Sequence, residues 1–159
     1  MSEHFSEFTI RAATNADCAA VEALVHAVLH EYGIQPEPCA TDADLKDIET
    51  HYTNSGGAFW VVLDSGSEIV GSCGIHRDSA ADCELRKMYL HLSLRGRGLG
   101  RRLLELAVAR ARELGFKRVT LGTASVLKEA IHLYERAGFK PIPRAGFPGR
   151  CDQAFALDL

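Results

Sequence analysis

A chain of 159 residues, 47% of them hydrophobic and 25% charged, is long enough to bury one core without disulfides or metal. That balance excludes the disordered, collagenous and fibrous classes, and a formal net charge of −3 excludes a nucleic-acid binder by overall charge. No apolar run approaches the roughly 18 residues of a membrane span, and the polar opening from Met1 to Phe8, with Glu3 and Glu7, lacks the basic leader and apolar stretch of a signal peptide.

The predicted elements follow in chain order. Residues 8–12 form a first strand. Thr14 then stands as a helix N-cap, with Asp17 completing an acidic variant of the capping box. Val21, Leu24, Val25, Val28, Leu29 and Tyr32 recur at helical spacing, so a helix runs to about Tyr32, where Gly33, Pro36 and Pro38 stop it. Thr41 or Asp42 opens a second, more polar helix through Leu45 and Ile48 to about Tyr52. Residues 58–63 and 68–76 are strands joined by a hairpin turn, and residues 83–90 are another strand. Residues 98–114 make the strongest helix: Leu99, Leu103, Leu106, Ala107, Ala111 and Leu114 share a face, and Gly115 sits at the stop. A strand at 117–122, a helix at 126–137 ended by Gly138, and two last strands around the Pro- and Gly-rich 141–149 complete the order. The expected architecture is a mixed α/β sheet of about seven strands with about four helices, in a single domain over 8–159 behind a polar tail at 1–7.

The five cysteines, Cys18, Cys39, Cys73, Cys83 and Cys151, are odd in number, and no pair has zinc-knuckle spacing. They are expected to be reduced thiols in a soluble, cytoplasmic protein. His26 and His30 lie one turn apart with Glu22 one turn before, but off the apolar stripe, so a solvated face is expected and no metal site.

The chemistry concentrates at one junction. The strand Glu84-Leu85-Arg86-Lys87-Met88-Tyr89-Leu90 runs through a short loop into Arg95-Gly96-Arg97-Gly98-Leu99-Gly100-Arg101-Arg102. Three glycines at alternate positions let backbone approach a ligand closely. The first N–H groups of a helix have no partner inside it and carry the positive end of the dipole, which favours an anion such as phosphate. Cations there oppose the dipole by about 0.3–1 kcal/mol each, so Arg95, Arg97, Arg101 and Arg102 are ill placed unless an anion binds. The dinucleotide fingerprint fails because Arg101 stands where its third glycine is needed, and no Gly-Lys-Ser/Thr end of a P-loop is present.

The spacing that fits is Arg95-x-x-Gly98-x-Gly100. With the strand before it, the helix behind it and the later Leu133-Tyr134-Glu135-Arg136-Ala137-Gly138-Phe139, the chain resembles the GNAT superfamily of acyl-CoA-dependent N-acyltransferases from about Phe8 to Leu159. The resemblance implies a GNAT fold splayed at an acetyl-CoA cleft, with acetyl-CoA as co-substrate and an amine as acceptor. It implies that backbone amides of Arg95, Gly96, Arg97, Gly98, Leu99, Gly100 and Arg101 hold the pyrophosphate, and that main-chain groups of Met88, Tyr89 and Leu90 pair with the pantetheine arm. It further implies Glu84 as general base, Tyr134 as proton donor to the leaving thiolate and the Met88 N–H as oxyanion donor. Strand alternation is expected to put Glu84 on one face with Arg86 and Met88.

Other readings of these residues stay open. Glu84 is also an ordinary strand charge for Arg86 or Lys87, and Tyr134, on a helical face with Leu127, Ala130, Ile131 and Ala137, is also a core aromatic. The acceptor walls implied are Glu31, Tyr32, His51, Tyr52, Arg86 and the 144–150 segment, suited to a small polar amine or amino acid but also to a peptide amine. Many relatives carry an Asn near Thr123-Ala124-Ser125, and this chain does not. A non-catalytic CoA-binding module is one alternative function. A phosphate- or RNA-binding protein is another, opposed by the acidic balance and by the absence of aromatics among the arginines. A homodimer is compatible with the reading; nucleic-acid and membrane partners are not expected.

Overall fold

The computed structural model describes residues 3–5 and 7–159; Met1, Ser2 and Ser6, within the expected polar tail, lie outside the described residues. Its strands are β1 (Glu3–Phe5), β2 (Phe8–Ala12), β3 (Ala58–Leu63), β4 (Ile69–Arg77), β5 (Asp82–Leu90), β6 (Arg118–Thr123), β7 (Lys140–Ile142) and β8 (Gln153–Asp158). The helices are α1 (Cys18–Glu31), α2 (Ile48–His51), α3 (Leu99–Glu113) and α4 (Lys128–Arg136). One sheet holds all eight strands in the order β1-β2-β3-β4-β5-β6-β8-β7. Glu3–Phe5 supplies the strand that the composition of the tail does not predict, pairing antiparallel with β2 as Glu3↔Ile10.

Helices cover both faces because apolar stripes are offered to both. Leu99, Leu103, Leu104, Ala107 and Ala111 of α3 pack with Ile75, Cys83, Leu85, Val119 and Leu121 of the sheet. On the opposite face Val21, Val25 and Leu29 of α1 meet Leu45, Ile48, Tyr52, Phe59 and Val61. Thr14 opens a short 3-10 turn, Asn15–Asp17, that leads into α1. Its N–H donates to Asp17 Oδ2 at 2.9 Å, and Arg11 grips the same carboxylate at 2.8 and 2.9 Å.

The expected second helix is broken in two. A 3-10 turn, Ala43–Lys46, is followed by the single turn of α2, with Asp47 between them at φ −152°, ψ 76°. Asp47 Oδ1 accepts from the Thr50 N–H at 3.1 Å and from Asn15 Nδ2 at 3.0 Å. A short polar side chain that bonds nearby backbone competes with helix continuation in this way.

Two departures from regular β-structure shape the centre of the sheet. β5 pairs in parallel with β6 only at Asp82↔Arg118, Cys83↔Val119 and Glu84↔Thr120, so a wedge opens beyond Glu84. On its other edge β5 stays with β4, but the register shifts between Ser72↔Tyr89 and Gly74↔Arg86. Two residues, Lys87 and Met88, then oppose Cys73, a bulge marked by the left-handed φ of 54° at Lys87. The bulge overturns simple alternation. Met88 and Leu90 join Leu85 against the α3-side core, whereas Tyr89 joins the α1-side core. Met88 therefore does not share a face with Glu84 and Arg86.

The bulge sends the Lys87 side chain into the α1-side layer. Its Nζ lies 3.0 Å from the Thr41 carbonyl, 3.1 Å from Asp42 Oδ1 and 3.4 Å from Asp44 Oδ1. Arg150 donates twice to Asp42 at 2.7 Å, and the Tyr52 hydroxyl donates to Asp44 Oδ2. The cluster binds three stretches distant in sequence: residues 41–52, β5 and the loop before β8.

Removing one partner of a buried ion pair strands the other, at about 3–5 kcal/mol. Lys87→Met should lose stability in that range, read from urea unfolding. Acid should act through Asp42. Burial pushes its pKa up, but the Arg150 bonds, the Glu37 N–H and Lys87 outweigh burial and hold it well below the carboxylate range. Its stabilisation is therefore complete above the unfolded value of about 3.9 and is lost as pH falls through the lower folded value. Urea midpoints should fall between about pH 6 and about pH 3, with a shallower fall in Asp42→Asn.

Candidate active site

The wedge between β5 and β6 is the floor of a cleft of about 1580 Å³. Among the described residues no strand pairs with the β6-facing edge of β5 beyond Glu84, so main chain is offered there to a ligand. The expected pantetheine-pairing residues Met88, Tyr89 and Leu90 all line the cleft. The Leu90 carbonyl, however, already accepts from Arg95 Nε at 3.3 Å and Nη2 at 3.0 Å.

The loop after β5 curls through a 3-10 turn, Leu92–Leu94, to the start of α3. Gly96 and Gly98 both have φ 78°, and Gly98 is the N-cap of α3. A Cβ on either would meet nothing within 4 Å, so glycine is required there by backbone conformation and not by space. At Gly100, which has no such φ, a Cβ would only touch Leu133 and Leu90 at 3.5 Å. The N–H groups of Leu99, Gly100 and Arg101 fall in the first turn, where no carbonyl within the helix can take them.

The arginines are partly answered from within the protein. The Arg95 guanidinium is held by Glu31, by the Tyr32 hydroxyl at 3.0 Å and by the Tyr32 ring, 5.2 Å from its centroid. Arg97 lies 3.5 Å from Glu7, while Arg101 and Arg102 lie 3.0 and 3.8 Å from Glu105. Carboxylates of the protein thus offset part of the positive charge at this junction. The first-turn backbone amides of α3 remain as donors at the junction, with Arg95 turned toward α1.

Glu84 sits at the last β5–β6 pair, between His76 on β4 and Thr120 on β6. It lines the cleft, is 15% exposed and pairs with Arg86 at 2.9 Å. The expected pairing with Arg86 is thus observed, and the carboxylate borders the cleft. Tyr134 on α4 is 6% exposed, packs 5.9 Å from the Phe139 ring and also lines the cleft. Burial, then Cys73, Tyr89 and Cys151, push its hydroxyl pKa well up, so the phenol stays protonated. Burial likewise pushes Tyr89 up to about 12.

Of the expected acceptor walls, Tyr32, His51 and Arg86 line the cleft, with Gly146, Phe147, Pro148 and Arg150 from the last loop. Tyr52 does not. It is 0% exposed in the α1-side core, because its hydroxyl finds Asp44 inside the protein. Sequence reasoning missed Thr41, Asp44, Lys87 and Cys151, all of which border the cleft. A lysine in a strand interior was the single local oddity, and the aspartates that hold it lie more than 40 residues away in sequence. Thr123 and Ala124 line the cleft, and the neighbouring Ser125 is tied to Asp152 at 2.7 and 2.8 Å. Among the described residues no three His, Cys, Asp or Glu side chains are grouped to hold a metal. His30 is exposed as expected, while His26 is half-buried, its Nε2 without a hydrogen-bond partner.

The profile of the Acetyltransferase (GNAT) family matches residues 22–139. The chain belongs to that family. It is 40% identical over 149 residues to the uncharacterized N-acetyltransferase YjgM of Escherichia coli K12, covering 90% of this chain and 89% of that one. A GNAT-family acetyltransferase of Staphylococcus aureus superposes with a TM-score of 0.88 at 25% identity, over 96% of this chain and 99% of that one. An acetyltransferase of Salmonella typhimurium, solved with its cofactor acetyl-CoA, superposes at 0.74 with 28% identity, over 97% and 95% of the two chains. This GNAT protein is thus an acetyltransferase with acetyl-CoA as co-substrate. Its wedge and its unsatisfied α3 amides fit that molecule, one offering main chain to an extended arm and the other an anion site for a pyrophosphate.

Gly98→Val imposes a β-branched side chain on a left-handed N-cap, a strain of about 1–2 kcal/mol or more. Relief by leaving that conformation would turn the first amides of α3 away. Isothermal titration should show CoA affinity falling at least about tenfold for every 1.4 kcal/mol so transferred, with the far-ultraviolet dichroism of the fold retained.

Proposed function

We propose that this GNAT enzyme acetylates a primary amine of a small molecule or amino acid, by direct attack within a ternary complex. The observation that carries the reading is Glu84: a partly buried carboxylate at the mouth of the wedge, in the same cleft as the α3 amides and Tyr134. An amine reaches the site protonated near neutral pH and becomes a nucleophile only after losing a proton. Glu84 accepts that proton, directly or through water. The amine nitrogen forms the new C–N bond at the thioester carbonyl, and the Met88 N–H donates to the developing oxyanion. The β4–β5 bulge supports that role, since a bulge leaves main-chain groups out of the ladder. As the C–S bond breaks, Tyr134 gives its proton to the sulfur. Its hydroxyl has no hydrogen-bond partner among the described residues and faces the cleft as a protonated donor. The pyrophosphate lies on the backbone of Arg95 to Arg101. Five free cysteines suit a reducing compartment and support a cytoplasmic enzyme.

Purified protein should release CoA thiol from acetyl-CoA when an acceptor amine is added. Glu84→Gln should lower that rate by about 10²–10⁴, with a deficit that shrinks as rising pH deprotonates the amine in solution. Tyr134→Phe should lower kcat and keep acetyl-CoA affinity. Because the Tyr134 pKa is raised above its ordinary 10.0, its donor form persists throughout the usual assay range. The wild-type pH–rate profile should then have no descending limb from Tyr134 below about pH 10. Wild-type rates in both variants would assign the proton transfers to water and backbone.

A further inference from the structure

The acceptor wall holds charges of both signs, and most are committed to one another. Lys87 lies between Asp42 and Asp44, Arg150 is bound twice to Asp42, and Asp44 is engaged by Tyr52. Arg95 is occupied by Glu31 and Tyr32. The Glu84–Arg86 pair differs. The two residues stand two apart on β5 before the bulge and so share a face. Both line the cleft, and Arg86 is the single ion-pair partner of Glu84 among the described residues. Arg86 is 30% exposed. Of its five N–H donors, one is given to Glu84, while the Tyr52 hydroxyl and Asp44 act on the guanidinium from the core side.

An amine that uses Glu84 must displace Arg86 from it. A plain ammonium would take from the partly buried guanidinium its bonded counter-charge, leave it only the unbonded Asp44 carboxylate, and stand beside it as a second cation. Uncompensated charge in such a place is costly. An acceptor that brings its own carboxylate removes the conflict. Its ammonium takes Glu84, its carboxylate takes the planar fork of Arg86, and one internal ion pair becomes two with no change in net charge. An amine and a carboxylate on one carbon match two side chains already within 2.9 Å of each other. A lysine side chain of a protein, or a peptide N-terminus, has no carboxylate at that position.

We infer that the acceptor is a free α-amino acid, its α-ammonium read by Glu84 and its α-carboxylate by Arg86. The inference rests on the transferase reading above and narrows its acceptor. Val28, Leu29, Ile34 and Phe147 border the same cleft beside its charged residues, so apolar amino acids are the first acceptors to compare.

The test compares acceptors on the wild-type enzyme with acetyl-CoA and thiol detection: leucine, methionine and phenylalanine, their carboxamides, their decarboxylated amines, and a lysine-containing peptide. The free acids should exceed the other three classes in kcat/KM by about tenfold to a hundredfold, the size of a lost charge-assisted contact. In Arg86→Gln the ratio of acid to carboxamide should collapse toward one, mainly through KM. Arg86→Lys, which keeps the charge and loses the fork, should retain part of that ratio. Carboxamides or amines equal to the acids, or a peptide better than all of them, would overturn the inference and leave the transferase reading standing. The comparison on wild type decides this even if the variants do not fold. No transfer to any acceptor, with acetyl-CoA binding seen as a thermal shift, would overturn both.

Discussion

β5 parts from β6 after Glu84, and the rest of the site depends on that parting. A strand that leaves its neighbour in mid-sheet exposes an edge of unpaired main chain, which the protein or a ligand must answer. Here the other edge of β5 remains stitched to β4 as far as Leu90, so the strand does not fray. Ser72 reinforces the seam where the ladder is irregular, its Oγ donating to the Lys87 carbonyl at 2.7 Å. On the far side β6 keeps its full pairing with β8, from Arg118↔Asp158 to Thr123↔Gln153. Two rigid walls thus diverge from one shared point, and the cleft is a property of the sheet and not of a mobile loop.

The same strand delivers the chain to the start of α3, and Arg95 fixes the delivery. Its guanidinium spans the Leu90 carbonyl, Glu31 and Tyr32, and so joins the end of β5 to the C-terminal turn of α1. This arginine was expected to help hold an anion. What is observed is that it ties the end of β5 to α1, while Gly96 and Gly98, both at φ 78°, turn the backbone on into α3. A helix start that relies on backbone donors binds a diphosphate without needing a side chain there, which is the economy of an anion site built on a helix N-terminus.

What was legible in the sequence was local. The Arg-x-x-Gly-x-Gly spacing, the apolar stripe of α3 and the glycine stops depend on residues within a few positions of one another, and their elements form close to where they were expected. Tyr52 and Lys87 were not legible, because their partners are remote. A tyrosine at the end of a polar helical stretch points inward or outward according to whether the interior offers its hydroxyl an acceptor, and Asp44 makes that offer only once the helix is broken at Asp47. Arg150 and Asp42 stand 108 residues apart. The bulge at Lys87 has no signature in composition, since a lysine at φ 54° pays for its backbone only through contacts made elsewhere. That hidden bulge is also why Met88 sits on the opposite face from Glu84.

The ionic filling beneath the acceptor wall needs a reason beyond stability, since well-packed apolar groups of similar volume serve stability as well or better. Specific placement is the reason that fits. An apolar side chain at position 87 would be satisfied by either face of the sheet, and β5 could then keep regular alternation with its side chains one register over. An ammonium is satisfied only where Asp42, Asp44 and the Thr41 carbonyl converge. Lysine at position 87 thus matches the bulged register and not the regular one. The cluster is nearly self-neutralising, with Lys87 and Arg150 set against Asp42 and Asp44. It can hold the strand in place while contributing little net field to the cleft above, where Glu84 and Arg86 are left as the pair that an incoming molecule must exchange with.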